Sequence, residues 1–311
     1  MNLKELHYMI TLADQGSLSK ASEALYITPS ALSQCLNSIE EDLGTQLFYR
    51  VRGSWTPTAE GEIYLAAARE MLHLKDETYK KIRDIAASAT GSFRVGFPPD
   101  RMPSIIRHVY PKFHAEYKDI SIIFVEANVT RQQEMIAKGE LDLGFMTLSR
   151  AQRTGDDYIY ISDEEIYLAV PANDPRCNQA VATGTGSYPE IDLNLFRDAP
   201  FAIMFKGSTL REHQEQIFST YGFTPKVAFE TSRNISVVDM VKEGICCGLV
   251  VNSYIEKDDN KVRYFTLKEH PYWEVVMSYK KGSYLTQAEK RFIEISKEYW
   301  IGVISENAAT R

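Results

Sequence analysis

Residues 17–44, Ser17-Leu-Ser-Lys-Ala-Ser-Glu-Ala-Leu-Tyr-Ile-Thr-Pro-Ser-Ala-Leu-Ser-Gln-Cys-Leu-Asn-Ser-Ile-Glu-Glu-Asp-Leu-Gly44, read as two helices separated by a three-residue turn. Ala21, Ala24 and Leu25 make a short apolar stripe on the first. Thr28 offers a side-chain oxygen to cap the second, and Pro29 falls at its first position, where a missing N–H costs nothing. Ala31, Leu32, Leu36, Ile39 and Leu43 recur at three- and four-residue spacing and predict the buried stripe. Gly44 tolerates the left-handed conformation that ends a helix. The opposite face carries Pro29, Ser30, Ser33, Gln34, Asn37 and Ser38, small, polar and uncharged until Glu40. A helix with such a face can lie in a major groove and hydrogen-bond to base edges. Taken alone, the stretch fits an ordinary helical hairpin with a solvated face equally well.

The flanks narrow the choice. Upstream, Leu3, Leu6, Met9, Ile10 and Ala13 predict a first helix over 2–15, ended by Gly16. Downstream, Gln46–Arg50 and Ser54–Pro57 flank Arg52-Gly53 and read as a β-hairpin wing, with Trp55 packed between wing and helices. Thr58 caps a long helix running to about Ser88. On it Tyr64, Ala68, Met71, Lys75, Thr78, Ile82 and Ile85 form a heptad-like seam suited to pairing with a second copy.

The stretches Leu6–Ala21, Leu43-Gly-Thr-Gln-Leu-Phe-Tyr-Arg50 and Pro57-Thr-Ala-Glu-Gly61, together with Ser30-Ala-Leu-Ser-Gln34 and Glu40, resemble the N-terminal domain of the LysR-type transcriptional regulators. The resemblance implies a winged helix-turn-helix over 1–58, a linker and dimerisation helix over 59–90, and an effector-binding regulatory domain over 91–311. Pro29, Ser30, Ser33, Gln34 and Asn37 would then read bases, while Ser17, Lys20, Arg50 and Arg52 would hold phosphates. Arg50 falls on the family's wing arginine. The second wing arginine stands one place early at Arg52, and Trp55 replaces a usually aliphatic residue.

Beyond the small-residue boundary Ala86–Ser92 the pattern alternates strand and helix, implying a parallel α/β sheet. Expected strands are Phe93–Phe97, Ile120–Val125, Leu141–Phe145, Glu165–Val170, Phe201–Phe205, Lys226–Phe229, Cys247–Val251, Val262–Leu267 and Glu274–Tyr279. Between them a helix is expected over Pro99–Tyr117. Two more are capped by Thr130-Arg-Gln-Gln133 and Thr209-Leu-Arg-Glu212, a fourth spans Ser232–Lys242, and a last is capped by Thr286-Gln-Ala-Glu289. The fold class is α/β: a winged helix-turn-helix head, a long linker helix, and a two-lobed, periplasmic-binding-protein-like effector domain. Lobe 1 covers about 91–163 and 268–304, and lobe 2 about 164–267.

Ligands of open α/β sheets bind beyond the carboxyl ends of strands, where helix N-termini converge. Four such edges occur, at Pro98–Arg101, Val129–Arg131, Lys206–Thr209 and Thr231–Asn234. The candidate effector residues are Pro98, Pro99, Thr130, Arg131, Met146, Thr147, Ser208, Thr209, Thr231 and Ser232, with Arg233 a further charge partner. The expected ligand is a small anionic or polar metabolite; the resemblance favours an organic or aromatic acid. Each hydroxyl singly could do no more than cap its helix.

Composition bounds the rest. The 311 residues are 44% hydrophobic and 25% charged, with net charge −7, the balance of a globular protein of two or three domains. Residues 1–90 hold nine Lys/Arg against twelve Asp/Glu, a net −3, so DNA affinity must come from local charge asymmetry and from assembly. The amphipathic N-terminus lacks signal-peptide features, and no apolar run reaches a membrane span, which points to the cytoplasm. Cys35, Cys177, Cys246 and Cys247 lack metal spacing and read as reduced thiols, with a redox switch as the alternative. The six histidines (7, 73, 108, 114, 213, 270) stand isolated, and GxSxG, HExxH and Walker motifs do not occur, so no catalysis, metal or cofactor is expected. The expected partners are double-stranded DNA, a small-molecule effector, a second copy in a homodimer or homotetramer, and RNA polymerase, with no membrane. The competing classes are a small-molecule binding module whose helical head only oligomerises, and an enzyme with a novel clamshell site.

Overall fold

The computed structural model describes residues 2–51, 54–86, 90–183, 188–256 and 260–308. Arg52 and part of the 86–92 boundary lie outside the described residues. The chain forms two compact units, 1–88 and 89–311.

In the first unit, α1 (Leu3–Gln15) opens on a capping box: the Asn2 side chain accepts from the Glu5 N–H, and Glu5 accepts from the Asn2 N–H. Gly16 ends it at φ 59. α2 (Leu18–Ala24) and α3 (Pro29–Leu43) follow. Thr28 Oγ1 accepts from the Ala31 N–H at 3.2 Å, and Gly44 closes α3 at φ 70, both as its residue types dictate. The buried stripe is narrower than the spacing suggests. Leu32, Leu36 and Ile39 are buried with Cys35 packed beside them, whereas Ala31 and Leu43 are exposed, as is Ala24 on α2.

β1 (Phe48–Val51) and β2 (Ser54–Pro57) pair antiparallel, with Arg50 opposite Trp55. The Trp55 ring lies edge-on to Phe48 at 6.5 Å, and its backbone N–H donates to the Gly16 carbonyl. α4 (Ala59–Ile85) is capped by Thr58, whose Oγ1 accepts from the Gly61 N–H at 2.9 Å. Its first turns press on the wing so closely that a Cβ at Gly61 would stand 2.0 Å from the Leu47 carbonyl oxygen. Tyr64, Leu65 and Ala68 are buried in the unit's own core, so the first part of the heptad seam is already used there. Beyond Leu72, which still packs on that core, the large apolar residues are exposed: Leu74 65%, Ile82 58% and Ile85 82%.

In the second unit, β3 (Gly91–Phe97), β4 (Ile120–Glu126) and β5 (Leu143–Leu148) are parallel, in order β4-β3-β5. The helix expected over 99–117 is broken into α5 (Met102–His108) and α6 (Tyr110–Glu116). Pro111 brings no N–H to the ladder, and its ring crowds the preceding turn. Ile105, Val109 and Phe113 still share one buried face; Ile106 is 41% exposed. α7 (Val129–Ala137) is capped by Asn128, whose Oδ1 accepts from the Arg131 N–H at 2.9 Å, rather than by Thr130.

The strand expected at 165–170 begins eight residues earlier. β6 (Asp157–Pro171) runs through both lobes as one 15-residue strand. Its first part pairs with the returning strand β11 (Tyr272–Tyr279), which in turn pairs with β5. Its second part pairs with β9 (Cys247–Val251) and β10 (Val262–Phe265). β7 (Pro200–Met204) and β8 (Lys226–Thr231) complete lobe 2 in parallel with β9. α8 (Thr209–Thr220) starts at Thr209 itself, with Ser208 as the cap residue and no side-chain cap bond. α9 (Asn234–Lys242) starts two residues later than the pattern suggests. α10 (Gln287–Ala308) opens on the expected box, Thr286 Oγ1 accepting from the Glu289 N–H at 3.2 Å. Each lobe buries its own core, one around Phe93, Phe97, Phe113, Phe145 and Phe292, the other around Phe196, Phe201, Phe218 and Val250.

Candidate functional site

On the first unit, α3 presents Pro29, Ser30, Gln34, Asn37 and Ser38 to solvent, with Ser33 half-buried. Lys20 is exposed on α2, and Ser17, at the cap of α2, makes no side-chain cap bond. Two of the expected contact residues are joined to each other: Arg50 Nη2 donates to Asn37 Oδ1 at 2.9 Å and to Glu40 Oε2 at 2.9 Å. Glu40 Oε1 also accepts from the Leu47 N–H at 2.8 Å, and the Arg50 guanidinium lies 4.9 Å from the Trp55 ring centroid. The Glu40 carboxylate therefore ties wing to helix, and Arg50 neutralises its charge at the edge of the polar face. The pattern also passes over Tyr26, which stands 96% exposed in the turn before α3 at φ 55. A non-glycine residue in that conformation costs of order 1 kcal/mol; its only sequence signal is an aromatic residue in a turn.

In the second unit the carboxyl ends of β3 and β7 and the starts of α7, α8 and α9 enclose a cleft of about 40 Å³. It gathers Pro98, Pro99, Thr147, Ser208, Thr209 and Ser232. The other four expected residues stand elsewhere. Met146 is fully buried in the small core beside Ile136 and Val276. Thr130 is exposed on α7. Thr231 Oγ1 accepts from the Arg233 N–H at 3.1 Å. Arg131 is half-exposed and paired with Glu134 at 3.0 Å and Glu140 at 3.4 Å.

The dominant electrostatic feature of the cleft is a pair that the helix-start pattern does not single out. Arg101 Nη2 donates to Glu164 Oε2 at 2.7 Å, with side-chain exposures of 4% and 0%. Arg101 Nη1 also donates to Ser253 Oγ, and the guanidinium sits between the rings of Tyr254 and Trp300, at 4.9 and 4.8 Å. Glu164 accepts two more donors, the Trp273 indole N–H at 2.7 Å and the Ser253 N–H at 3.2 Å. Burial works against the Arg101 charge, but the Glu164 carboxylate outweighs it and raises the pKa further. Because Arg101 and Trp300 belong to lobe 1, Ser253 and Tyr254 to lobe 2, and Glu164 to the shared strand, the pair ties the lobes together. A second pair crosses from Asp100, at φ 71, to Arg233 at 3.1 Å. Both arginines are thus already matched by carboxylates.

All four cysteines are free thiols. Burial pushes each thiol up, that of Cys247 to about 12, so thiolates that would react with oxidants are disfavoured. Among the described residues no His/Cys/Asp/Glu group could hold a metal, and no helix is long and apolar enough to cross a membrane.

A winged helix-turn-helix followed by a two-lobed α/β domain with an inter-lobe cleft defines a ligand-binding transcriptional regulator. Residues 3–62 match the bacterial regulatory helix-turn-helix of the lysR family, and residues 86–300 match the LysR substrate binding domain. The chain belongs to the LysR family: it is a regulator with a DNA-binding and an effector-binding domain, not an enzyme. It is similar to the uncharacterized HTH-type transcriptional regulator YcgK of Bacillus subtilis, at 25% identity over 96% of this chain and 94% of the relative. It is likewise similar to the HTH-type transcriptional regulator XapR of Escherichia coli, at 25% identity over 86% of this chain and 88% of the relative. Among solved structures, a full-length OxyR variant from Pseudomonas aeruginosa superposes with a TM-score of 0.67 at 21% identity, covering 96% of this chain and 97% of that one. At that identity the likeness is one of fold.

Proposed function

We propose that Pro29, Ser30, Ser33, Gln34 and Asn37 read base edges in an inverted-repeat operator, while Ser17, Lys20, Arg50 and Arg52 hold the DNA backbone. The observation that carries this reading is the exposed, uncharged polar face of α3, with the carboxylate at its edge, Glu40, neutralised by Arg50. The protein acts in the cytoplasm as a homodimer or homotetramer joined through the exposed apolar residues of α4 beyond Met71, and its output passes to RNA polymerase. A small polar metabolite entering between the lobes at Pro98, Pro99, Thr147, Ser208, Thr209 and Ser232 shifts their closure, because it binds one arrangement better than the other. The cleft holds about 40 Å³ with both lobe-spanning pairs formed, so a metabolite larger than a few waters requires the lobes to part.

The test is a mobility-shift titration on the DNA upstream of the gene, at two salt concentrations. Gln34→Ala should weaken specific binding by about 1–3 kcal/mol and leave non-specific binding nearly intact. Lys20→Ala should weaken binding to all sequences and reduce the salt slope by about one. Equal loss on specific and random DNA for Gln34→Ala would remove it from base reading.

A further inference from the structure

A second cavity in this unit exceeds the cleft in volume. A pocket of about 470 Å³ lies on the other side of Trp273, between the outer face of α8, the entry to β11 and the segment after β5. Its volume is in the range of small-molecule sites, more than ten times that of the cleft. One wall is apolar and aromatic: Ile217, Pro271, Tyr272, Trp273 and the ring of His213, which meets Trp273 edge-on at 6.0 Å. Burial lowers the His213 pKa, which favours the neutral ring and keeps this wall uncharged.

The polar edge carries Arg150, whose side chain is 85% exposed. Arg150 donates from Nε to Glu274 Oε1 at 2.8 Å, and its two terminal nitrogens make no hydrogen bond among the described residues. Glu274 is in turn held by Arg153 Nη2 at 2.6 Å, so its carboxylate is matched twice. The opposing acid at the rim, Glu269, takes the Tyr221 hydroxyl at 2.6 Å. A guanidinium anchored through Nε, with both terminal nitrogens open, suits the two oxygens of a carboxylate. The flat wall beside it suits a ring. Within the cleft, by contrast, Arg101 is fully engaged by Glu164 and Ser253.

We infer that this pocket is a ligand site for an aromatic or cyclic monocarboxylate, held by Arg150 and stacked against the exposed ring of Tyr272, with the buried Trp273 behind it. It is distinct from the inter-lobe cleft but shares Trp273 as a wall with it. The same indole donates to Glu164, the carboxylate that holds Arg101, so a ring pressed on Trp273 bears directly on the tie between the lobes. The site stands or falls on ligand binding itself, independently of which residues read DNA or what enters the cleft.

The experiment is calorimetric titration of the full-length protein with 1-naphthoate, with benzoate and benzylamine as comparison probes. Naphthoate should bind, benzoate more weakly, and benzylamine not measurably. Arg150→Ala should lower naphthoate affinity about tenfold, the loss of one charge-assisted pair. Thr220→Trp, which fills the pocket from an exposed helix position, should abolish binding, while Thr147→Val on the cleft side should leave it unchanged. Loss of binding in Thr147→Val but not in Thr220→Trp would place the ligand in the cleft and overturn the site. Preference for benzylamine would overturn the ligand class. Absence of naphthoate binding by the folded protein at millimolar concentration would overturn both.

Discussion

Replacing Arg101 by methionine should be among the most damaging single changes in the second unit. The side chain length is nearly kept and the contacts with Tyr254 and Trp300 remain available, but Glu164, 0% exposed, loses its counter-ion. Breaking a buried pair from one side costs about 3–5 kcal/mol, because the remaining charge stays desolvated. For a unit of this size each kcal/mol lowers Tm by about 2–4 °C, so the expected fall is about 6–20 °C. Glu164→Gln should be comparably costly, since it strands the Arg101 guanidinium and leaves one carbonyl oxygen where the Trp273 and Ser253 N–H groups had used two. The double variant Arg101→Met/Glu164→Gln removes both charges, keeps one of the two acceptor oxygens, and should recover a clear part of the loss. The assay is scanning calorimetry of the full-length protein and the three variants, read as a double-mutant cycle. A fall below about 3 °C for the single variants, or additive losses in the double, would refute the view that this pair ties the lobes.

Gly61→Ala should destabilise the winged head by about 1–3 kcal/mol or more, seen in chemical denaturation of the first unit, although alanine is ordinarily the better helix former; the new Cβ would stand 2.0 Å from the Leu47 carbonyl oxygen. Burial depresses the His213 pKa below its ordinary value of 6.5, so its contribution to stability is complete above the unfolded-state pKa and is lost as pH falls through 6.5 toward the folded value. Tm should therefore drop between about pH 7.5 and 5.5, and His213→Phe should flatten that drop; an unchanged slope would exclude His213 as a source. Ile82→Lys with Ile85→Lys should shift sedimentation toward monomer if these exposed residues form the self-association seam.

The helical head is legible in detail because its signals are local. Thr28, Pro29, Gly44 and Thr58 each act within a few residues of themselves, through a cap, a missing N–H or a left-handed turn. The structure departs from the local pattern where two signals compete. Thr130 stands in an acceptable capping box, but Asn128 lies two residues earlier and caps better. Pro111 lies on the exposed side of an otherwise continuous helical pattern, and it splits the helix while Ile105, Val109 and Phe113 stay aligned.

The sequence by itself determined the order of elements, the α/β alternation, the polar face of α3 and the four helix starts from which a cleft could be built. Periodicity, capping and turn chemistry are properties of neighbouring residues. Only the tertiary structure decided which side chains share that cleft: Ser208, Thr209 and Ser232 meet Pro98, Pro99 and Thr147, while Met146 enters a core and Arg131 pairs on the surface. Only the tertiary structure brought Arg101 to Glu164, 63 residues away, and set Trp273 between a nearly filled cleft and an open pocket. Those choices depend on where one long strand carries the chain from lobe to lobe, and on burial, which makes a distant charge pair strong and an empty wall available. Neither has a local signature.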